Sequence, residues 1–313
     1  TTNIYTIISL FFFLLILYVL GFILFRLPLV KMHFSTENLY LIAGMVLFYL
    51  LLALLMRNLF SIPDWLPFSV LLPTSLTAML IAILIDSRTA IFYTLVISLL
   101  GLLFHENQIE SFLFAFFSGV GGTLVVIGSY KRIDLIKATF LLTVLSGFLL
   151  VIFILLVENE ITYLPSALAY GAFNGFLCGF INLSILPLLE HIMNSPTTFK
   201  LLELSDTNTA MLKRMLMFAP GTYSHSLNVA NLAESACREI GANALLARVG
   251  AFYHDIGKID QAEYFIENQR YDNKHDDLKP SLSVAVIKSH LKIGIEKAKE
   301  LKLPKAVIDI IAQ

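Results

Sequence analysis

Apolar runs long enough to cross ~30 Å of hydrocarbon recur through the first 189 residues, broken only by short polar connections. They fall at about residues 4–25, 39–60, 66–85, 89–104, 109–128, 133–157 and 164–189, which predicts seven membrane helices. Pro73 interrupts the third of these, and the fourth is short. Charge follows the same division. Residues 1–189 hold 7 of the 22 Lys and Arg and 8 of the 23 Asp and Glu, while the last 124 residues hold 15 of each. The chain as a whole is 14% charged, against about 25% for a soluble domain. A lipid-embedded region followed by a soluble one is therefore expected, with the lipid bilayer as a partner of the first.

The connections set an orientation. With the N-terminus outside, those facing inward carry Arg26, Lys31, Arg88, Lys131, Arg132 and Lys137. Those facing outward carry Arg57 alone among basic residues, with Asp64, Glu106, Glu110, Glu158 and Glu160. Lys and Arg concentrate on the cytoplasmic side, so the soluble region is expected in the cytoplasm. Trp65, the only Trp, suits the outer interface beside Asp64. The spans carry no ion-pair array or proton relay of the kind a pump needs. Ala167, Gly171, Gly175 and Gly179 form a small-residue ridge on the last span, which fits either packing within the bundle or the seam of a homodimer. Pro187 is expected to kink or end that span.

The soluble region reads as all-helical. Helical patterns run over residues 198–204, 210–218, a stretch ending near 239, 244–255, 280–290, 295–301 and 305–310. Thr222 or Ser224 is placed to cap the third of these, and 268–279 is a polar loop. The net charge of −1, with no basic stripe, argues against a nucleic-acid polymer as partner. Cys178 and Cys237 fall one in each region, so they build neither a disulfide framework nor a cysteine metal site.

The soluble region centres on His254-Asp255-Ile256-Gly257-Lys258. Adjacent helical residues point about 100° apart, so the doublet shares one ion only if that ion lies against the helix between them. Asp255 then offers an oxygen able to bridge two ions and His254 a neutral imidazole nitrogen. Gly257 lets a ligand approach the backbone, and Lys258 sets a compact positive charge where a phosphate can sit. The alternative is a buried His and Asp that satisfy each other. His225 and His290 lie on other apolar-periodic helices, and each alone reads as a core histidine. Together they bring three histidines and one aspartate from separate helices, as metal sites in helical bundles are built. His275 lies in a charged loop and reads as solvated, and His33, His105 and His191 lie at membrane edges.

Ala219-Pro220-Gly221-Thr222-Tyr223-Ser224-His225-Ser226, His254-Asp255-Ile256-Gly257-Lys258 and Ser289-His290 resemble the HD-domain metal-dependent phosphohydrolases. More narrowly, with Leu201–Asp206, Ile266–Gln269 and the seven spans, the chain looks like the bacterial seven-transmembrane receptors with an intracellular HD domain. The resemblance implies an all-α protein of the bacterial cytoplasmic membrane. A seven-helix bundle (residues 1–189) would be followed by a helical linker (190–212) and a partial cytoplasmic HD domain (213–313). It implies two divalent transition-metal ions, Mn or Fe, with His225, His254 and a bridging Asp255 as ligands and His290 on the second ion. Lys258 would contact substrate phosphate, with Gly257 beside it. The implied reaction is hydrolysis of one phosphodiester of cyclic di-AMP to linear pApA. Ions spaced about 3.5–4 Å apart activate water and neutralise the leaving oxygen, so no side-chain nucleophile is needed.

Two departures accompany the resemblance. Ser224 stands where relatives often carry a second His. The family places a His-His pair directly after Gln313 and an Asp further on, and a ligand-sensing domain ahead of the spans. A chain running from Thr1 to Gln313 is thus expected to be truncated at both ends, with weak metal binding and little activity of its own. Two other readings remain open: a non-catalytic nucleotide-binding receptor, and the same hydrolase acting on cyclic di-GMP or a guanosine polyphosphate.

Overall fold

The computed structural model describes residues 36–63, 65–102, 109–157, 161–269 and 272–313, and no strand occurs among them. The expected first span, residues 4–25, lies outside the described residues, as do Asp64, Glu106, Glu158, Glu160, His33 and His105. The chain divides into two compact units after Ile185.

In the first unit, helices α1 (Thr36–Leu59), α4 (Ile109–Val126), α5 (Arg132–Val157) and α6 (Leu164–Met193) are long and apolar enough to cross a membrane. Helices α2 (Thr74–Leu84) and α3 (Ser87–Gly101) are shorter, with 11 and 15 residues, against the ~20 needed to span. The apolar run at 66–85 is thus not one helix. Pro67 and Pro73 flank a 3-10 turn, Phe68–Leu71, because a proline ring removes the donor that a continuous helix requires. The carbonyls left over by this turn are taken up by Asn174 of α6, whose Nδ2 donates to Val70 and Leu72 at 2.8 and 3.1 Å. Irregular backbone persists in an apolar bundle only with such protein partners. Helix α2 is buried on nearly every side, so it is a core element of the unit. Asp86 caps α3 by accepting from the backbone of Arg88 and Thr89 at 2.8 and 2.9 Å.

The small-residue ridge of α6 packs against α5 within the same chain. A Cβ on Gly175 would stand 2.6 Å from the Leu142 carbonyl oxygen and 2.9 Å from the Thr143 Cα. Gly171 meets the backbone of Ser146 and Gly147 in the same way, and Gly179 meets the Thr139 side chain, so the helices approach closely where side chains are missing. Trp65 stacks on Tyr163 with ring centroids 4.9 Å apart. Pro187 does not end α6, which continues through it to Met193.

The second unit is built from α7 (Thr198–Leu204), α8 (Ala210–Phe218), α9 (Pro220–Glu239), α10 (Ala244–Tyr253), α11 (Pro280–Glu300) and α12 (Lys305–Ile311). Two 3-10 segments, Ile256–Tyr264 and Ile266–Asn268, follow α10. Leu212, Met215, Val249, Phe252, Tyr253, Ile256, Val307 and Ile311 form its buried core. The Tyr253 hydroxyl donates to the Leu204 carbonyl at 3.1 Å, tying α10 to the end of α7. Helix α11 is one 21-residue helix, where the sequence suggested a break after residue 290. Val284 and Ile287, whose apolar spacing around His290 suggests a buried face, are exposed.

Candidate metal centre

Helix α10 stops at Tyr253, two residues short of the expected end. His254 keeps helical angles, but Asp255, with φ −108° and ψ 16°, has left the helix. That departure lets the doublet converge, with His254 Nε2 3.1 Å from Asp255 Oδ2. Gly257 makes it possible. A Cβ there would collide with the His290 carbonyl oxygen and stand 2.6 Å from the Gly294 nitrogen, so only glycine lets this segment lie against α11. The close approach that Gly257 permits is to helix backbone, where a ligand was expected.

Two further helices deliver the remaining groups. Ligand atoms of His225 (α9), His254 and Asp255 all lie within 4.8 Å of one another. His225 is exposed, contrary to the expectation of an embedded histidine. His290 of α11 adds its Nε2 at 3.8 Å from Asp255 Oδ1, with its ring edge-on to Phe265.

The donor set fits a metal ion. His254 Nδ1 is 2.7 Å from the Ala251 carbonyl, and His290 Nδ1 meets the Ile287 carbonyl in the same i−3 pattern. A carbonyl only accepts, so each Nδ1 carries the hydrogen and each Nε2 lone pair points toward Asp255. Such backbone contacts fix the tautomer of a metal-ligating histidine. Two lone-pair groups facing each other require a cation between them. The buried Asp255 Oδ2 also faces the Lys258 ammonium, with Nζ 2.8 Å away.

Electrostatics agree with this arrangement. Burial opposes ionisation of Asp255, but His254 and Lys258 outweigh it and hold its carboxyl at about 2. Burial also works against the His254 imidazolium, and Asp255 overcomes it, leaving the histidine above its ordinary value. Asp255 thus favours positive charge at this position.

Lys258 is not a free cation waiting for phosphate. Its Nζ donates to Glu267 Oε1 at 3.0 Å, packs 5.0 Å from the centre of the Phe265 ring, and stands beside Asp255. Glu267 accepts a second hydrogen bond from Thr222 Oγ1 at 3.0 Å. Asn268 receives the Thr222 backbone N–H at 3.1 Å and donates to its hydroxyl at 2.8 Å. Thus the start of α9 is capped from a distant turn, and neither Thr222 nor Ser224 caps it. Gly221 leaves the room for this, since its Cβ would strike the Glu267 carbonyl oxygen. The roles of Glu267 and Asn268 are not legible in the sequence, because nothing in their spacing shows that residues 45 or 46 positions apart meet. His275 lies outside the group of ligand atoms and is half-buried, with its Nε2 2.8 Å from the Tyr264 carbonyl.

An all-helical unit presenting an His-Asp doublet to histidines from neighbouring helices defines a metal-binding HD domain, and the HD domain family matches residues 222–313. The family described as 7TM receptor with intracellular HD hydrolase matches residues 4–197, and the chain belongs to it. The chain is 39% identical over 248 residues to the cyclic-di-AMP phosphodiesterase PgpH of Listeria monocytogenes, covering 78% of this chain and 34% of that protein. It is 36% identical over 253 residues to PgpH of Bacillus subtilis, covering 78% and 35%. The chain therefore spans about a third of the length of these relatives. A crystal structure of the L. monocytogenes PgpH HD domain in complex with cyclic-di-AMP matches 34% of this chain and 51% of that one at 53% identity, with a TM-score of 0.34.

Proposed function

We propose that this protein is a membrane-anchored, metal-dependent phosphodiesterase that hydrolyses cyclic di-AMP to pApA. The observation that carries the reading is the converging set of His225, His254, Asp255 and His290, with Nε2 lone pairs of His254 and His290 turned toward a buried carboxylate. Family membership and the names of the two bacterial relatives supply the substrate class.

Divalent ions bound there, Mn or Fe, supply Lewis-acid activation of water and neutralise charge on the leaving oxygen. The chain's own groups do the rest. His225, His254 and Asp255 hold one position, with Asp255 facing both that position and His290, which serves a second. The Nδ1 contacts to Ala251 and Ile287 orient the rings and leave Nε2 as the nitrogen that would bind metal. Lys258 adds positive charge at the edge of the site. Water is the incoming group and the 3′ oxygen of one ribose the leaving group, so a single phosphodiester opens and the linear dinucleotide remains.

The membrane region completes the reading as a bundle of membrane helices (residues 1–189) in which α2 and α3 are shorter than a full span, followed by a linker (190–212) and the HD domain (213–313). The excess of Lys and Arg on one set of connections supports an outside N-terminus and a cytoplasmic HD domain. The test is to incubate the purified, Mn²⁺-loaded intact protein with cyclic di-AMP and follow pApA by chromatography. Turnover should fall at least about a hundredfold in Asp255→Ala, a loss no smaller than that from removing a residue supporting a metal ligand. Absence of pApA with either Mn²⁺ or Fe²⁺ overturns the proposal.

A further inference from the structure

His254 and His290 are each steadied through Nδ1 by a carbonyl three residues back. His225 meets the site differently. Its ring tilts against that of His254, with centroids 5.5 Å apart, and where it stands follows from where the start of α9 lies. Thr222 is the third residue of that helix, so its N–H is one of the donors a helix leaves without an internal partner. It precedes His225 by less than one turn. Asn268 holds Thr222 twice. Its Oδ1 accepts the Thr222 N–H at 3.1 Å, and its Nδ2 donates to the Thr222 hydroxyl at 2.8 Å. That hydroxyl has a single hydrogen, which it gives to Glu267 Oε1 at 3.0 Å. An amide, with one accepting and one donating end, is therefore matched to Thr222 as a carboxylate is not. Thr222 is fully buried, so water cannot replace these partners at no cost. The backbones fit as closely, since a Cβ on Gly221 would stand 2.9 Å from Asn268 Oδ1. From Glu267 the contacts run on to Lys258, whose Nζ lies 3.0 Å from Glu267 Oε1 and 2.8 Å from Asp255 Oδ2.

We infer that Asn268 is a positioning residue for the metal centre: its hold on Thr222 sets the start of α9, and with it the reach of His225 toward the His254-Asp255 doublet. The inference rests on the reading of His225, His254, Asp255 and His290 as a metal centre. Asn268 acts through Thr222 and the backbone of α9, not on the ion itself. The polar contacts from Asn268 through Thr222, Glu267 and Lys258 to Asp255 tie the helix that carries one ligand to the carboxylate that supplies another.

The experiment measures Mn²⁺ binding to the metal-free intact protein by calorimetry, alongside thermal unfolding without metal. Asn268→Ala should weaken Mn²⁺ binding about tenfold or more, as loss of a residue supporting a metal ligand does. The double variant His225→Ala, Asn268→Ala should bind within about threefold of His225→Ala alone, because the energies of residues acting through each other do not add. Unchanged binding in Asn268→Ala overturns the inference. So does a double variant clearly weaker than His225→Ala, which would mean that Asn268 supports the fold at large and not His225. Should Asn268→Ala fail to fold, or His225→Ala bind too weakly to titrate, substitutions at Thr222 decide. Thr222→Val keeps the shape and the N–H but removes the hydroxyl, and should bind Mn²⁺ more weakly. Thr222→Ser keeps the hydroxyl and should bind about as tightly as the parent. A Val variant as tight as the parent, or a Ser variant as weak as the Val one, overturns the inference. Failure of the underlying metal-centre reading looks different: the parent and Asp255→Ala would then bind Mn²⁺ equally, and both readings fall together.

Discussion

His254 Nε2 stands 3.1 Å from Asp255 Oδ2 while His254 Nδ1 is engaged with the Ala251 carbonyl 2.7 Å away. One ring nitrogen is thus fixed as a donor, and the other faces an anion. A metal ion and a proton compete for that space, and the competition has a direction. Asp255 raises the affinity of His254 for its proton, and a metal accepts only the neutral ring.

Mn²⁺ affinity is therefore expected to weaken as pH falls from 8 to 6, with protons released on binding. Calorimetry in buffers of different ionisation enthalpy measures that release. In the metal-free protein, the stability that Asp255 contributes is likewise lost toward low pH. Its folded pKa of about 2 lies below the ordinary value of 3.8, so the contribution is complete above that ordinary range and is lost as pH falls through about 2. The melting-temperature difference between the parent and Asp255→Asn should shrink steadily from pH 5 toward pH 2.

Gly257→Ala tests the packing that brings the doublet to α11. The new methyl meets the His290 carbonyl oxygen, which is helix backbone and cannot rotate away. Overpacking of this kind costs about 1–3 kcal/mol. Calorimetry should show a lower melting temperature, and displacement of His290 should weaken binding of the second of two Mn²⁺ ions more than the first. Equal stability would show that α11 has room to move.

Asn174→Leu tests the turn inside the first unit. The substitution removes the side-chain donor from the Val70 carbonyl, while the Leu72 carbonyl keeps the Thr74 N–H at 2.9 Å. A buried acceptor left unpaired costs about 1–3 kcal/mol. The expected result is a lower thermal midpoint for the membrane unit in detergent, with Mn²⁺ affinity of the HD domain unchanged. Asn174→Asp, which keeps size but has no amide donor, should be no better.

Local pattern was enough for much of this protein. Spans at 39–60, 109–128, 133–157 and 164–189 are legible because a membrane helix needs only length and apolar side chains, properties that each segment carries in itself. The glycine ridge of α6 and the His-Asp doublet are legible for the same reason. Residues 66–85 were harder. Their composition is that of a span, and whether Pro67 and Pro73 bend or break it depends on Asn174, about a hundred residues away, supplying the missing donor.

The site divides along the same line. His225, His254, Asp255, Lys258 and His290 stand out by residue type and position, and the chemistry available to them follows from those types alone. What the sequence did not show is that Asp255 has left the helix, that Gly257 faces helix backbone, or that Lys258 is bonded to Glu267. Each of these depends on the close approach of segments distant in sequence: α9 to the 266–268 turn, and α11 to the segment after α10. Residue types determine which groups can hold a metal. Backbone approach, measured in tenths of an ångström at Gly221 and Gly257, decides which of them face one another and which charges are already spoken for.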